Sequence, residues 1–268
     1  MATNKGLQFE WCIYHLVAKV DSKKFANDRD AKTAKVNYAA ADAGVKKDAE
    51  YAIVMIEKAY GKITDIAKTS RDQGEPKTDL YITCARKAIK CSLKHGGSIQ
   101  LSSGGIKTTV KFLNGVLKNA SQNSGYDAKK IKSIMSVLAE LDERYGNLGK
   151  MRRTQADVEL GKAQRYNDLL QNILGSGKHP LVSEEYEKIK LAIIEEAITG
   201  KYTFGATSKM AADHILSDTK LELITPALIK TISDKTSVRI RLKGRGKTMV
   251  AGTEVRMNEI VVSFDTKK

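Results

Sequence analysis

An alternation of apolar and polar residues over 79–94 limits the fold of this chain more than any other feature. The apolar positions are every second residue on each side of a short polar break, namely Leu80, Ile82, Cys84, Ile89, Cys91 and Leu93. A period of two residues is typical of strands that bury one face. The sequence therefore predicts a β-hairpin with one face in a hydrophobic core and the other face polar.

The polar positions of this hairpin include three side chains that suit phosphate chemistry. Asp79 stands at the start of the first strand, and Ser92 and Lys94 occupy polar positions of the second. Because alternate residues of a strand point to the same side, the three are expected to converge at one end of the hairpin. A carboxylate and a backbone carbonyl can bind Mg²⁺ and leave room for water. A metal-activated water beside a lysine can attack a phosphodiester.

This pattern resembles that of the PD-(D/E)XK nuclease superfamily, whose members have the restriction-endonuclease-like fold. Pro76 and Asp79 match the first half of the motif with two residues between them, and Ser92-Leu93-Lys94 matches the acidic-x-Lys half. The sequence departs from the motif at Ser92, where Glu or Asp is usual. The resemblance implies a deoxyribonuclease that uses Mg²⁺, with Mn²⁺ as a substitute. It also implies that Asp79 and the Leu93 carbonyl bind the metal and that Lys94 acts on the attacking water.

An apolar segment at 7–20 provides a second carboxylate. Its length and composition favour a buried helix, and Glu10 is its only carboxylate. A buried carboxylate is costly unless it is paired or binds a metal. Members of the superfamily often place a glutamate on an early helix beside the hairpin, so the resemblance implies that Glu10 is a metal ligand. The alternatives are an exposed position on the rim of the helix or an ion pair with a lysine.

A third strand is predicted at 98–101, after a tight two-glycine turn. This strand is expected to extend the hairpin sheet, so that Gln100 points where Lys94 points. Ser92 and Gln100 would then position water or phosphate. A flexible loop is predicted to follow at 102–105.

Positive charge is the second guide to function. The 268 residues carry a net charge of +15, and 41% of them are hydrophobic. This composition predicts a globular protein with a polyanionic partner, above all DNA. The positions best suited to phosphates lie in an alternating strand at 237–243 and the turn after it, and they are Arg239, Arg241, Lys243, Arg245 and Lys247. The alternatives are a solvated strand face, or a charge that serves solubility or an acidic partner.

Together these patterns predict an α/β (α+β) fold with a central mixed β-sheet flanked by helices, as in a restriction-endonuclease-like core. The expected divisions are a nuclease core at 1–150, a helical segment at 151–200 and a basic, β-rich segment at 201–268 that packs on the core or completes it. A short strand is expected at 202–204. The glutamates of a helix at 183–199, including Glu195 and Glu196, are expected on its solvated sides.

The remaining expectations concern the setting of the protein. Its three cysteines lie in apolar strings, which suits reduced thiols. No signal peptide or membrane span is recognised, so a cytoplasmic protein without a membrane partner is predicted. Double-strand cutting by this fold commonly implies a homodimer. Two other functions stay open, a non-catalytic nucleic-acid-binding protein with a purely structural hairpin, and a virion or assembly protein.

Overall fold

A computed structural model describes residues 5–18, 29–69, 77–95, 100–104, 106–124, 127–145, 171–172, 186–243, 248–250, 253–255 and 259–266. The chain forms two compact units, the first from Met1–Ser98 and Ala206–Thr225, the second from Ile99–Gly205 and Pro226–Lys268. Each unit combines two separate stretches of chain, whereas the predicted division follows the chain linearly.

The bounds of the secondary-structure elements are as follows. The described helices are α1 (Lys5–Ala18), α2 (Arg29–Ala40), α3 (Ala43–Tyr60), α4 (Ile106–Ser124), α5 (Ala128–Tyr145), α6 (Tyr186–Thr199), α7 (Lys201–Phe204) and α8 (Pro226–Lys235). The described strands are β1 (Ile63–Lys68), β2 (Leu80–Cys84), β3 (Ala88–Lys94), β4 (Gln100–Gly104), β5 (His214–Ser217), β6 (Leu221–Leu223), β7 (Thr236–Lys243), β8 (Thr248–Val250), β9 (Thr253–Val255) and β10 (Glu259–Thr266).

The first unit contains α1 to α3 and a five-stranded sheet in the order β1-β2-β3-β5-β6. Neighbouring strands are antiparallel except β3 and β5, which are parallel. The α/β class, with a mixed sheet and flanking helices, is therefore confirmed. The parallel pair is possible because a long connection, which includes 99–205, separates its two strands.

The predicted hairpin is confirmed as β2 and β3, and its apolar face is buried. Leu80 pairs with Cys91 and Ile82 pairs with Ile89, and all four are fully buried. Helix α1 contributes Phe9 and other buried residues to the same core, as its apolar sequence predicts. Full burial of each large aliphatic side chain stabilises the fold by about 1.5–3 kcal/mol. Because the hairpin and α1 bury their apolar side chains in the same core, each element stabilises the other.

Helix α3 has sequence signals at both ends. Asp42 caps its start, because the side chain accepts a hydrogen bond from the Val45 N–H at 2.9 Å. Gly61 ends it with φ of 80°, a conformation that suits glycine, and donates its N–H to the Glu57 carbonyl. The chain then enters β1 two residues later, which sets α3 beside the sheet.

The second unit contains α4 to α8, a three-stranded sheet in the order β4-β10-β7 and a two-stranded sheet of β8 and β9. Residues 100–104 form β4 and pair with β10. The prediction that 98–101 extends the hairpin sheet is therefore wrong, and so is the predicted loop over 102–105. A short apolar and polar alternation indicates a strand, but it does not identify a distant partner.

Helix α6 contains a buried carboxylate that was expected in solvent. Glu196 is fully buried, and its two carboxylate oxygens accept the N–H groups of Tyr202 and Thr203 at 2.9 and 2.6 Å. These donors lie in α7, which was wrongly predicted as a strand. A carboxylate that accepts two N–H groups from the first turn of a helix stabilises that helix. Glu195 accepts a hydrogen bond from Asn119 Nδ2 at 2.9 Å.

The close approach of α4 to this carboxylate requires a glycine. A Cβ atom at Gly115 would lie 2.5 Å from Thr203 Oγ1 and 2.8 Å from Glu196 Oε1. We expect Gly115→Ala to destabilise the protein in urea unfolding. Overpacking costs about 1–3 kcal/mol, which outweighs the gain of up to about 1 kcal/mol from replacing a helical glycine.

The matched control is Gly44→Ala in α3. There the nearest atom to the added Cβ is Asp42 Oδ1 at 3.4 Å, an ordinary contact. This variant should be as stable as the wild type or more stable. Equal stability of the Gly115→Ala and Gly44→Ala variants would contradict the proposed close packing.

Within the described residues, no helix has the length and apolar character needed to cross a membrane.

Candidate active site

Asp79 lies at the open end of the β2–β3 hairpin and is held by the opposite strand. Its backbone N–H donates to the Cys91 carbonyl at 2.9 Å. Its carboxylate Oδ2 accepts the backbone N–H of Leu93 at 2.7 Å. Both contacts come from β3, so the carboxylate has a defined position beside Ser92 and Lys94.

Ser92 and Lys94 interact directly with each other. Lys94 Nζ donates a hydrogen bond to Ser92 Oγ at 2.9 Å. Because of this hydrogen bond, the Lys94 side chain is directed back along the strand. Ser92 itself is buried, with 3% of its surface exposed. The structure thus brings Asp79, Ser92 and Lys94 together, and their catalytic roles stay predictions.

The charges of this group act on each other in a poorly solvated place. Burial raises the pKa of the Asp79 carboxyl, and the Lys94 ammonium and the Leu93 N–H oppose that shift. Burial lowers the pKa of the Lys94 ammonium, and the Asp79 carboxylate opposes it. Such perturbed pairs are concentrated at functional sites because catalysis needs groups near their titration range.

Glu10 is buried, as predicted, and it forms an ion pair with Lys68. The Lys68 ammonium also lies 3.7 Å from the centroid of the Trp11 ring. The alternative that Glu10 pairs with a lysine is therefore what the structure contains. The Lys68 charge also opposes the rise in the pKa of Asp79 that burial causes, so its charge acts on both carboxylates. A metal role for Glu10 stays a prediction.

Leu93 and Gln100 differ in their relation to this group. The Leu93 N–H binds the Asp79 carboxylate, and its carbonyl as a metal ligand stays a prediction. Gln100 begins β4 and pairs with Ser263 of β10. The expected strand beside Lys94 is therefore wrong, and the role of Gln100 has no geometric support.

The predicted basic strand is confirmed in its backbone as β7. Arg239, Arg241 and Lys243 pair with Ser263, Val261 and Glu259 of β10. Arg245 and Lys247 lie outside the described residues. The role of these basic residues in DNA binding stays a prediction.

A second polar group was missed by sequence reasoning. Asp48, His95 and Asp218 bring potential metal-ligand atoms within 4.8 Å of one another. Asp48 lies in α3, His95 follows β3 and Asp218 follows β5. The three are far apart in sequence and form no spacing motif. The one available signal was that two of them directly follow a strand.

A third polar group joins α3 to β5 in the core. His214 is fully buried; its Nδ1 lies 2.5 Å from Asp213 Oδ1 and its Nε2 lies 2.7 Å from the Tyr60 hydroxyl. Asp213 Oδ1 also accepts the Lys90 N–H at 2.8 Å. Burial and the charge of Asp213 raise the pKa of the Tyr60 hydroxyl. This raised pKa opposes a role as nucleophile, so the network satisfies buried polar atoms instead.

Comparisons with known proteins give little guidance. No protein-family model matches the sequence, and no curated protein shows a significant match. The restriction endonuclease MspI, in a crystal structure with its cognate DNA, resembles the chain in structure, with 12% sequence identity and a TM-score of 0.35. The likeness covers 81% of this chain and 79% of that one. It is too distant to assign a fold family or an activity.

Proposed function

We propose that the protein is a metal-dependent endonuclease with a restriction-endonuclease-like core. It hydrolyses phosphodiester bonds of DNA in an active site that contains Asp79 and Lys94. The observation that carries this proposal is the placement of the Asp79 carboxylate, the Ser92 hydroxyl and the Lys94 ammonium at one end of one hairpin. A half-buried acid beside a half-buried amine suits proton transfer and stabilisation of a charged transition state.

The residues of this group fit a Mg²⁺ ion in their chemistry. Asp79 uses Oδ2 for the Leu93 N–H, which leaves Oδ1 to bind a cation. Asp79, Glu10 and the Leu93 carbonyl would hold the ion, because Mg²⁺ prefers oxygen ligands and keeps several waters. When bound, Mg²⁺ or Mn²⁺ would polarise the phosphate and lower the pKa of a coordinated water.

Each protein group has a defined task in the proposed reaction. The Leu93 N–H orients the Asp79 carboxylate. Ser92 holds the Lys94 ammonium by the hydrogen bond to its Nζ. Lys94 polarises the attacking water or stabilises the charge that develops on the phosphate. Glu10 supplies the acidic group that Ser92 lacks, with Lys68 balancing its charge.

A cleavage assay tests this function. Supercoiled plasmid is incubated with the purified protein and Mg²⁺, Mn²⁺ or EDTA, with the Asp79→Asn variant purified in parallel to detect contaminating nuclease. Nicked or linear plasmid should form with either ion and not with EDTA. DNA binding without cleavage under any condition would instead favour a non-catalytic binding protein or an assembly protein.

The net charge of +15 supports a DNA partner, and β7 is the proposed contact. Replacing Arg241 and Lys243 with Gln should weaken binding to all sequences alike. Two lost phosphate contacts should reduce the slope of log affinity against log salt by roughly 2 for duplex DNA. Fluorescence anisotropy at several salt concentrations measures both effects.

The matched control removes the same charge from two helices of the second unit. Lys118 and Lys132 are exposed residues of α4 and α5, and their double Gln variant should retain most of the slope. An unaltered slope in the folded Arg241→Gln/Lys243→Gln variant would place the DNA elsewhere. The basic run at 150–153 is the next candidate, and it lies outside the described residues.

Two further properties belong to the same proposal. Each chain has one proposed active site, so cutting both DNA strands favours a homodimer. Sedimentation with and without DNA would measure the oligomeric state. We also propose a cytoplasmic location, which the free, buried thiols of Cys12, Cys84 and Cys91 support.

A further inference from the structure

Three side chains that can bind metals converge at one end of the first unit's sheet. Asp48, His95 and Asp218 each present a ligand atom, and all three atoms lie within 4.8 Å of one another. Strands β3 and β5 are parallel, with Lys94 paired to Ser217. The next residues, His95 and Asp218, therefore leave the sheet at the same end. The carboxyl ends of parallel strands are common ligand sites.

The imidazole of His95 is fixed in this cluster and lacks one partner. Its Nε2 lies 3.0 Å from Asp48 Oδ2, and its ring centroid lies 5.0 Å from that of Phe9. The side chain is only 10% exposed. Its other nitrogen, Nδ1, is buried without a hydrogen-bond partner among the described residues. Nε2 is therefore the nitrogen of this ring that faces a carboxylate of the cluster and would bind an ion there.

The two carboxylates approach each other with little compensating charge. Within the described part of the chain, the Asp218 side chain makes no hydrogen bond or ion pair, and the Asp48 side chain makes one hydrogen bond or ion pair, with His95. Ser217 Oγ fixes the turn that carries Asp218 by accepting the Lys220 N–H at 3.0 Å. Two anionic groups this close repel unless positive charge lies between them. A divalent cation would supply that charge and use all three ligands.

We propose that Asp48, His95 and Asp218 bind one divalent transition-metal ion, with Zn²⁺ preferred over Mn²⁺ and Mg²⁺. One imidazole nitrogen with two carboxylates is a donor set for transition metals, whereas Mg²⁺ prefers oxygen ligands alone. The stability order of such ions places Zn²⁺ above Mn²⁺. The ion joins α3 to the ends of β3 and β5. Because His95 follows Lys94, the ion also holds the strand end that carries the proposed catalytic lysine.

Titration calorimetry of the full-length, metal-stripped protein tests this site. The tightest Zn²⁺ site should hold one ion per chain, and at that site Zn²⁺ should bind more tightly than Mn²⁺ and Mg²⁺ most weakly. The melting temperature should rise with Zn²⁺ concentration, because an ion that binds the folded state more tightly than the unfolded chain stabilises the folded state. The Asp79→Asn variant lacks a ligand of the proposed Mg²⁺ site and should keep the tight Zn²⁺ site unchanged, so this result does not depend on the proposed nuclease function.

Two ligand variants and one control decide the assignment. Asp218→Asn and His95→Gln should each weaken Zn²⁺ binding at least about a hundredfold. Mutation of a residue that only hydrogen-bonds to a metal ligand already lowers metal affinity about 10–100-fold. The control is His15→Gln, which removes an imidazole that stacks on Tyr38 in α2, and it should bind as the wild type does. If His95→Gln does not fold, Asp218→Asn decides alone. Unchanged Zn²⁺ binding in Asp218→Asn, or equal loss in His15→Gln, would overturn the site.

Discussion

Replacing Asp79 with Asn, or Lys94 with Met, should lower the rate of plasmid cleavage by about 10²–10⁴-fold. Both side chains are proposed to act on the reacting phosphate, and both replacements keep nearly the original shape. Asn still offers an oxygen to the Leu93 N–H that now binds Asp79 Oδ2 at 2.7 Å. Cleavage is measured at saturating DNA, and binding is measured separately by anisotropy in Ca²⁺ or EDTA. Binding should change little.

The Asp79→Asn/Lys94→Met double variant separates a catalytic role from a structural one. Each single change leaves one charged group in a poorly solvated place, so some loss of stability is expected. The double change removes both charges, and urea unfolding should show stability restored toward the wild type. If the pair is catalytic, cleavage stays low in the double variant. Cleavage that recovers together with stability would reject the catalytic assignment.

The second large effect concerns the buried ion pair of Glu10 and Lys68, whose side chains are 10% and 16% exposed. Glu10→Gln should lower the free energy of unfolding by about 3–5 kcal/mol, because the Lys68 charge loses its buried partner. The Glu10→Gln/Lys68→Met variant removes both charges and should recover most of that loss. Urea unfolding of the two single variants and the double variant measures this coupling.

The same variants decide whether Glu10 also binds metal. If it does, Glu10→Gln should need more Mg²⁺ for half-maximal cleavage, and Mn²⁺ should partly restore the rate. Lys68→Met is the matched control, because it breaks the same ion pair and keeps the carboxylate. An unchanged Mg²⁺ requirement in Glu10→Gln would mean that another carboxylate, or none, takes the place of the acidic residue missing at position 92.

Local patterns in the sequence were enough to predict several elements and part of the site. The hairpin of β2 and β3 follows from alternation at Leu80, Ile82, Ile89 and Cys91, which depends only on the two-residue period of a strand. The convergence of Asp79 with β3 follows from the same period. The burial of Glu10 follows from the apolar helix around it.

Partners far along the chain were decided only by the tertiary structure. Strand β4 pairs with β10 instead of β3, and Glu196 accepts N–H groups from α7 instead of facing solvent. The partner of Glu10 is Lys68, which lies in β1. Local periodicity gives the face of each residue, and the choice among distant partners depends on how the whole chain packs.

The Asp48, His95 and Asp218 group shows this limit most clearly. Asp48 and His95 are 47 residues apart. Asp218 follows β5, which belongs to the second stretch of chain in the first unit and pairs with β3. By itself the sequence determined the hairpin, its buried face and the acid and lysine at its open end, because neighbouring residues control these. Only the tertiary structure could bring the imidazole and two carboxylates together, because the parallel pairing of β3 with β5 sets the distance between His95 and Asp218 and the packing of α3 brings in Asp48.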